Sequence, residues 1–336
     1  MPFIEDNCNY CGDCLTNCQY INLKRDEAIK EIKNLIENRD SFVLSECVTC
    51  YACNEYCKQD ANPFDLIASI QEEKNSLRLS KTALKMLEKQ YEPYVFSIEI
   101  DIKGPLMSQC AFLFSHEDFF KGKIFENLTM VGGRSVFCNL IYLHTQQYSL
   151  IKKRAKMIVN NIEKILKKFK KKELICFHDE CYLFYTKYAP EFGIEVPFKA
   201  IHIFEYLLNY IKDHKDQIKP LNLKVAYQRS CSTRMTPEKD HFLDELFEII
   251  GVKRVERKFD RENAICCQAP LMGLLNLKKL GRKNQKENIQ DAIDAGAKAM
   301  IFICPTCYDT LKRGCEKNNL RPIFITDLCR LALREI

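Results

Sequence analysis

Eight cysteines fall in two copies of one spacing, C-x2-C-x2-C-x3-C: Cys8, Cys11, Cys14 and Cys18, then Cys47, Cys50, Cys53 and Cys57. Three thiolates two residues apart can wrap one face of a cubic iron–sulfide core, and a fourth closes it. Where two such runs occur together, the fourth cysteine serves the other cluster. On that rule Cys8, Cys11, Cys14 and Cys57 hold one [4Fe-4S] cubane, and Cys47, Cys50, Cys53 and Cys18 hold the other. One-electron transfer is the chemistry such a pair performs. Gln19 and Lys58 follow the fourth cysteines where proline is common, but proline shapes that turn and donates no electron pair.

A further constellation lies far down the chain: Cys231, then Cys266 and Cys267, then Cys304 and Cys307. Cys231 and Cys304 each follow a strand-like run, KVAYQRS and AMIFI. Pro305 suits the first turn of a helix, which places Cys307 near its N-terminus. The positive end of a helix lowers a thiol's pKa and stabilises an anionic cluster. Loops after the carboxyl ends of strands in an α/β sheet converge on one crevice. Five thiolates are therefore expected to meet there.

The elements that must position these groups differ between the two ends. Between the quartets, residues 25–38 carry Ile29, Ile32, Leu35 and Ile36 at helical spacing. A helix there argues for an α-helical cluster domain, with a second helical stretch over 64–89 and a boundary near residue 92. Beyond it, apolar runs at 111–114, 173–177, 223–227 and 299–303 alternate with helical patterns at 150–169, 203–211, 240–250, 283–295 and 308–316. Such alternation predicts α/β layers with parallel pairing. An internal repeat runs through this region: Ile162 falls on Ile289, Cys181 on Cys307, Tyr182 on Tyr308, and Phe137-Cys138-Asn139 on Cys266-Cys267-Gln268. The resulting division is 1–92, 93–220 and 221–336.

The C…CC…CxxC pattern resembles the cysteine-rich CCG domain of heterodisulfide reductase, with Gln268-Ala269-Pro270 standing where that family often has Gly-x-Pro. The whole arrangement is similar to the fused catalytic subunits of that group, and to iron–sulfur subunits of glycolate and anaerobic glycerol-3-phosphate dehydrogenases. The resemblance implies an α/β chain: an N-terminal α-helical ferredoxin domain followed by two tandem Rossmann-like CCG domains. It implies that Cys231, Cys266, Cys267, Cys304 and Cys307 are catalytic and hold a further [4Fe-4S] cluster of noncubane form, where a bound disulfide is reduced. It also implies a redox partner, a flavoprotein or a membrane cytochrome b-type subunit.

The first repeat departs from the pattern. Cys138 has Phe137 as its neighbour, and His178 stands where Cys304 would be, followed by Asp179, Glu180 and Cys181. Cys110 is a possible first cysteine. A decayed copy without metal is the plainer expectation; a modified site using Cys110, Cys138, His178 or Cys181 is the other. Cys176, Cys315 and Cys329 fall outside every set and read as buried small hydrophobes.

Composition bounds the rest. Nineteen cysteines without a basic, apolar leader point to a reducing compartment and metal, hence a cytoplasmic location, at most reaching the membrane through a partner. No apolar run is long enough to span a bilayer. A formal charge of +6 ignores cluster thiolates and is weak evidence for nucleic acid, which is not expected as a partner. The lysine run from Lys167 to Lys172 reads as a solvated helix end. Gly132-Gly133 lacks the GxGxxG fingerprint, so neither NAD nor flavin is expected in this chain. Arg229 and Arg234 flank Cys231 as candidate cationic donors, and His202 reads as a helix-start contact. Three functions remain: reduction of a small-molecule disulfide; an electron conduit from a hydroxy-acid flavin dehydrogenase to quinone or a membrane cytochrome; and, least favoured, a zinc-binding structural protein.

Overall fold

A computed structural model describes every residue except Met1, Arg78, Phe96, Ile98, Glu99, Asp101, 113–115 and 274–276. Two short helices, Asp13–Thr16 and Ala52–Tyr56, carry the middle of each quartet. Their approach is shaped by left-handed backbone on both sides of the second cysteine: Tyr10 and Gly12 at φ 60° and 75°, Thr49 and Tyr51 at φ 54° and 65°. Alternating hand turns successive N–H groups toward one point, which makes an anion-binding nest. Gly12 also needs its bare Cα, because a Cβ would press on Ala28 at 3.1 Å. Helix Arg25–Ile36 joins the quartets and buries Ala28, Ile32 and Leu35.

The helical stretch expected over 64–89 is two helices, Pro63–Lys74 and Lys81–Gln90. Asn75 stops the first in the left-handed region, and the Ser80 hydroxyl caps the second by accepting from the Ala83 N–H. The apolar face of the first packs into a core shared with the following α/β layer: Phe64, Ile67 and Ile70 lie in one cluster with Leu106, Ile151 and Ile158.

Two four-stranded parallel sheets follow. The first is built from β1 (Leu106–Ser108), β2 (Thr129–Val131), β3 (Glu173–Cys176) and β4 (Lys199–His202), in the order β2-β1-β3-β4. The second uses β5 (Leu223–Gln228), β6 (Val252–Arg254), β7 (Ala299–Phe302) and β8 (Arg321–Phe324), in the order β6-β5-β7-β8. The identical order is the structural form of the repeat. In each sheet the chain reverses direction of winding between the two central strands, and that switch point opens a crevice at their carboxyl ends.

The strand expected at 111–114 is not the one the sheet uses. β1 ends at Ser108, and Cys110 then adopts φ 55°, which takes the chain out of the sheet. Ala111 lies in a turn, and 113 and 114 fall outside the described residues. β2, β4, β6 and β8 are three or four residues long, too short to leave a periodic trace. Helix Tyr148–Lys168 covers the first sheet with Ile151, Ala155, Ile158 and Ile162, and its end leaves Lys167, Lys168 and Lys170 in solvent. Among the described residues no helix is long and apolar enough to cross a membrane.

Candidate functional site: two cysteine cages and an inter-sheet cavity

One enclosed cavity is lined by Cys8, Cys11, Cys14 and Cys57. A second is lined by Cys18, Cys47, Cys50 and Cys53. Each cage thus draws its fourth cysteine from the other run. Burial pushes the Cys14 and Cys50 thiols up to about 12. As bare thiols these groups would stay protonated; a bound cationic core draws the protons off, because metal ligation requires thiolate. Backbone N–H groups already aim at sulfur: Thr49 donates to Cys47 Sγ and Ala61 to Cys57 Sγ, each at 3.4 Å. Sulfur-directed amides and the nests suit the net-negative cluster that such a core would form with its four thiolates.

The inner cage abuts the second sheet. Tyr20 lies two residues after Cys18, and its hydroxyl accepts from the Cys266 N–H at 2.9 Å and the Gln268 side chain at 3.3 Å. Gln19 donates to the Asn263 carbonyl at 2.7 Å, and Tyr56 to that of Glu262 at 2.9 Å.

Cys231 follows β5, Cys266 and Cys267 follow β6, Cys304 follows β7, and Cys307 lies in the first turn of helix Pro305–Lys317. Cys231 and Cys266 Sγ atoms are 3.5 Å apart. All five cysteines line one cavity of about 300 Å³. Residues 225–312 match the cysteine-rich domain family CCG. Those residues carry a CCG-type cysteine-rich domain, and the chain is similar to heterodisulfide reductase subunits. It is 24% identical over 303 residues to a protein of Methanosarcina acetivorans named as one of the subunits of dihydromethanophenazine:CoB–CoM heterodisulfide reductase, covering 80% of this chain and 72% of that one. The Methanosarcina barkeri and Methanosarcina mazei proteins of the same name are each 26% identical, over 55% and 57% of this chain but only 46% and 47% of theirs. Among solved structures, glutamate racemase RacE1 from Bacillus anthracis aligns with 70% of this chain and 80% of its own, at 12% identity and a TM-score of 0.38.

The wall facing the CCG cysteines comes from earlier in the chain. Phe112, Phe137 and Ile141 give it an apolar surface, and His144, His178 and Glu180 give it polar groups. Spacing alone offered no sign of His144. Its ring bridges the Thr49 and Tyr51 hydroxyls at 2.8 and 2.9 Å, so the inner cage and the cavity share a histidine. Burial pushes its pKa down to about 4, leaving a neutral ring with one donor and one acceptor. Burial pushes the Glu180 carboxyl up to about 7. His178 Nδ1 stands 3.7 Å from Glu180.

Arg229 and Arg234 are buried, at 4% exposure each, and both bind Glu55, which lies between Cys53 and Cys57. Arg229 also reaches Asp240 at 3.0 Å. Arg234 lines the inner cage and donates to the Glu262 carbonyl at 2.9 Å. They therefore act as struts between the inner cage and the CCG domain. His202 caps helix Ile203–Asp213 through Nδ1, which accepts from the Phe204 N–H at 3.1 Å. Cys176, Cys315 and Cys329 are fully buried apart from these sets.

Proposed function

We propose that the chain is an iron–sulfur oxidoreductase subunit that reduces a small-molecule disulfide, with units 1–92, 93–220 and 221–336 serving as wire, lid wall and reactive site. The observation that carries this reading is the cavity in which all five CCG cysteines face an apolar wall. Bound clusters supply one-electron steps: two cubanes in the N-terminal cages and a third cluster, of noncubane form, on Cys231, Cys266, Cys267, Cys304 and Cys307. The protein does the remainder. Phe112, Phe137 and Ile141 seat the organic arm of the disulfide and keep water from the reacting sulfurs. His178 and Glu180 are the acid–base groups on the same wall. Reduction breaks one S–S bond, takes up two electrons and two protons, and releases two thiols. Tyr20, Arg234 and His144 hold the inner cage against the cavity, so electrons have a short route inward. The electrons come from a partner subunit, a flavoprotein or a b-type cytochrome.

The test uses anaerobic, reconstituted chain. Iron and acid-labile sulfide should approach about twelve of each per chain, as three [4Fe-4S] clusters require. A strong one-electron reductant should then drive turnover of a thiol–thiol disulfide, and the oxidised protein should develop a paramagnetic signal on adding the thiol product. A protein that passes electrons to a quinone or dye but to no disulfide is instead a conduit, and the reductase reading fails.

A further inference from the structure

The cations nearest Cys231 in the chain are engaged away from the cavity. Arg229 and Arg234 both bind Glu55, and Arg229 also reaches Asp240 at 3.0 Å. Lys239 stands 3.3 Å from Asp179. None of the three lines the cavity that holds the CCG cysteines, and among the described residues no other lysine or arginine does. The positive end of helix Pro305–Lys317 reaches that cavity, but it is occupied within the protein: the Cys307 N–H donates to the Cys304 sulfur. A proton on the His178 ring is balanced by the Glu180 carboxylate, 3.7 Å away.

The opposite wall is aromatic and aliphatic. The Tyr91 and Phe137 rings lean together with centroids 4.6 Å apart, the Phe112 ring lies 5.3 Å from that of His178, and Ile141 completes the surface. Leu113, Phe114 and Ser115, which follow Phe112 in the chain, bear no charge. At about 300 Å³ the cavity is at the small end of ligand sites, which run from about 300 to 1,000 Å³. An anionic arm entering here would shed its water with no guanidinium or ammonium to replace it, beside thiolates of its own sign. Sites that select carboxylates or phosphates present arginine forks or lysines. An alkyl or aryl arm gains simply by leaving water.

We propose that the disulfide reduced in this cavity has short, uncharged, apolar arms, alkyl or aryl, and that Tyr91, Phe112, Phe137 and Ile141 select it. The proposal rests on the reductase reading and names its substrate class. The chemistry is unchanged: one S–S bond breaks, two electrons arrive from the partner subunit through the clusters, two protons are taken up, and two apolar thiols leave.

Dithiodipropionate and its dimethyl ester test this, since they share a skeleton and differ in charge. With the anaerobic, reconstituted full-length chain and reduced viologen as donor, kcat/KM for the diester should exceed that for the dicarboxylate by at least about 100-fold, because like charges meet in one desolvated site. Ile141→Lys, which sets an ammonium in the wall, should narrow that ratio at least about 10-fold. Equal values in the unmutated protein, or a preference for the dicarboxylate, overturn the proposal whether or not the variant folds. Calorimetric binding of the thiol products keeps the two readings apart: the methyl ester of mercaptopropionate should bind the oxidised chain at least about 10-fold more tightly than mercaptopropionate itself. Turnover with the acid preferred sinks only the substrate class. Ester-selective binding without turnover of either disulfide sinks only the reductase, and neither turnover nor selectivity sinks both.

Discussion

Cys231→Ser or Cys304→Ser should cut disulfide turnover by at least about 100-fold while both N-terminal clusters remain reducible. Loss of a mere supporting contact around a metal costs 10–100-fold, so loss of a ligand sets that range as a floor. The two residues lie at the carboxyl ends of β5 and β7, the strands that flank the switch point of the second sheet. Iron should fall by about four per chain, as one [4Fe-4S] cluster requires. The cages at Cys8–Cys14 and Cys47–Cys53 take no side chain from residues 231 or 304. Cluster spectra before and after reduction, with turnover in the same preparation, give the answer. Retained turnover would mean that the reacting centre lies elsewhere.

Asp179→Ala should cost about 3–5 kcal/mol of stability, the range for breaking a buried ion pair from one side. Asp179 is 0% exposed and lies one residue past His178, yet most of its partners belong to the second repeat. It accepts from the Ser230 hydroxyl, takes Lys239 at 3.3 Å, and accepts from His202 at 2.9 Å within its own repeat. Lys239 is 1% exposed, so removal of the carboxylate strands an ammonium away from water. The paired change Asp179→Leu with Lys239→Met should recover much of the loss, because an apolar pair needs no compensation. Denaturant midpoints of the two variants check this. If the single variant unfolds like the parent, the two repeats are not pinned through this node.

The two cysteine cages were legible because they are local: three cysteines within seven residues must come close whatever the fold around them. The CCG cysteines were legible for a related reason, since each follows a strand and strands deliver their loops to one edge. The apolar wall was not. Phe112, Phe137 and Ile141 are ordinary hydrophobes whose meaning depends on a sheet that begins only at Leu223. Glu55 looked like one more surface acid, and only tertiary packing sets two arginines on it. The strand placed at 111–114 failed because apolarity does not mark where a strand stops. A left-handed residue at 110 does that, and cysteine gives no hint of left-handed backbone.

Cys8, Cys11 and Cys57 keep some contact with solvent, whereas Cys47, Cys50 and Cys53 are buried and only Cys18 of their cage is partly open. Sulfur oxidation follows exposure. On the proposed reading air meets the outer cage before the inner one, and damage should advance in stages: the outer centre bleaches early, cutting the chain off from its electron supply while the inner cage still holds iron. A sample handled briefly in air would look coloured and yet be dead to its donor, though a small dye able to reach the interior could still revive it.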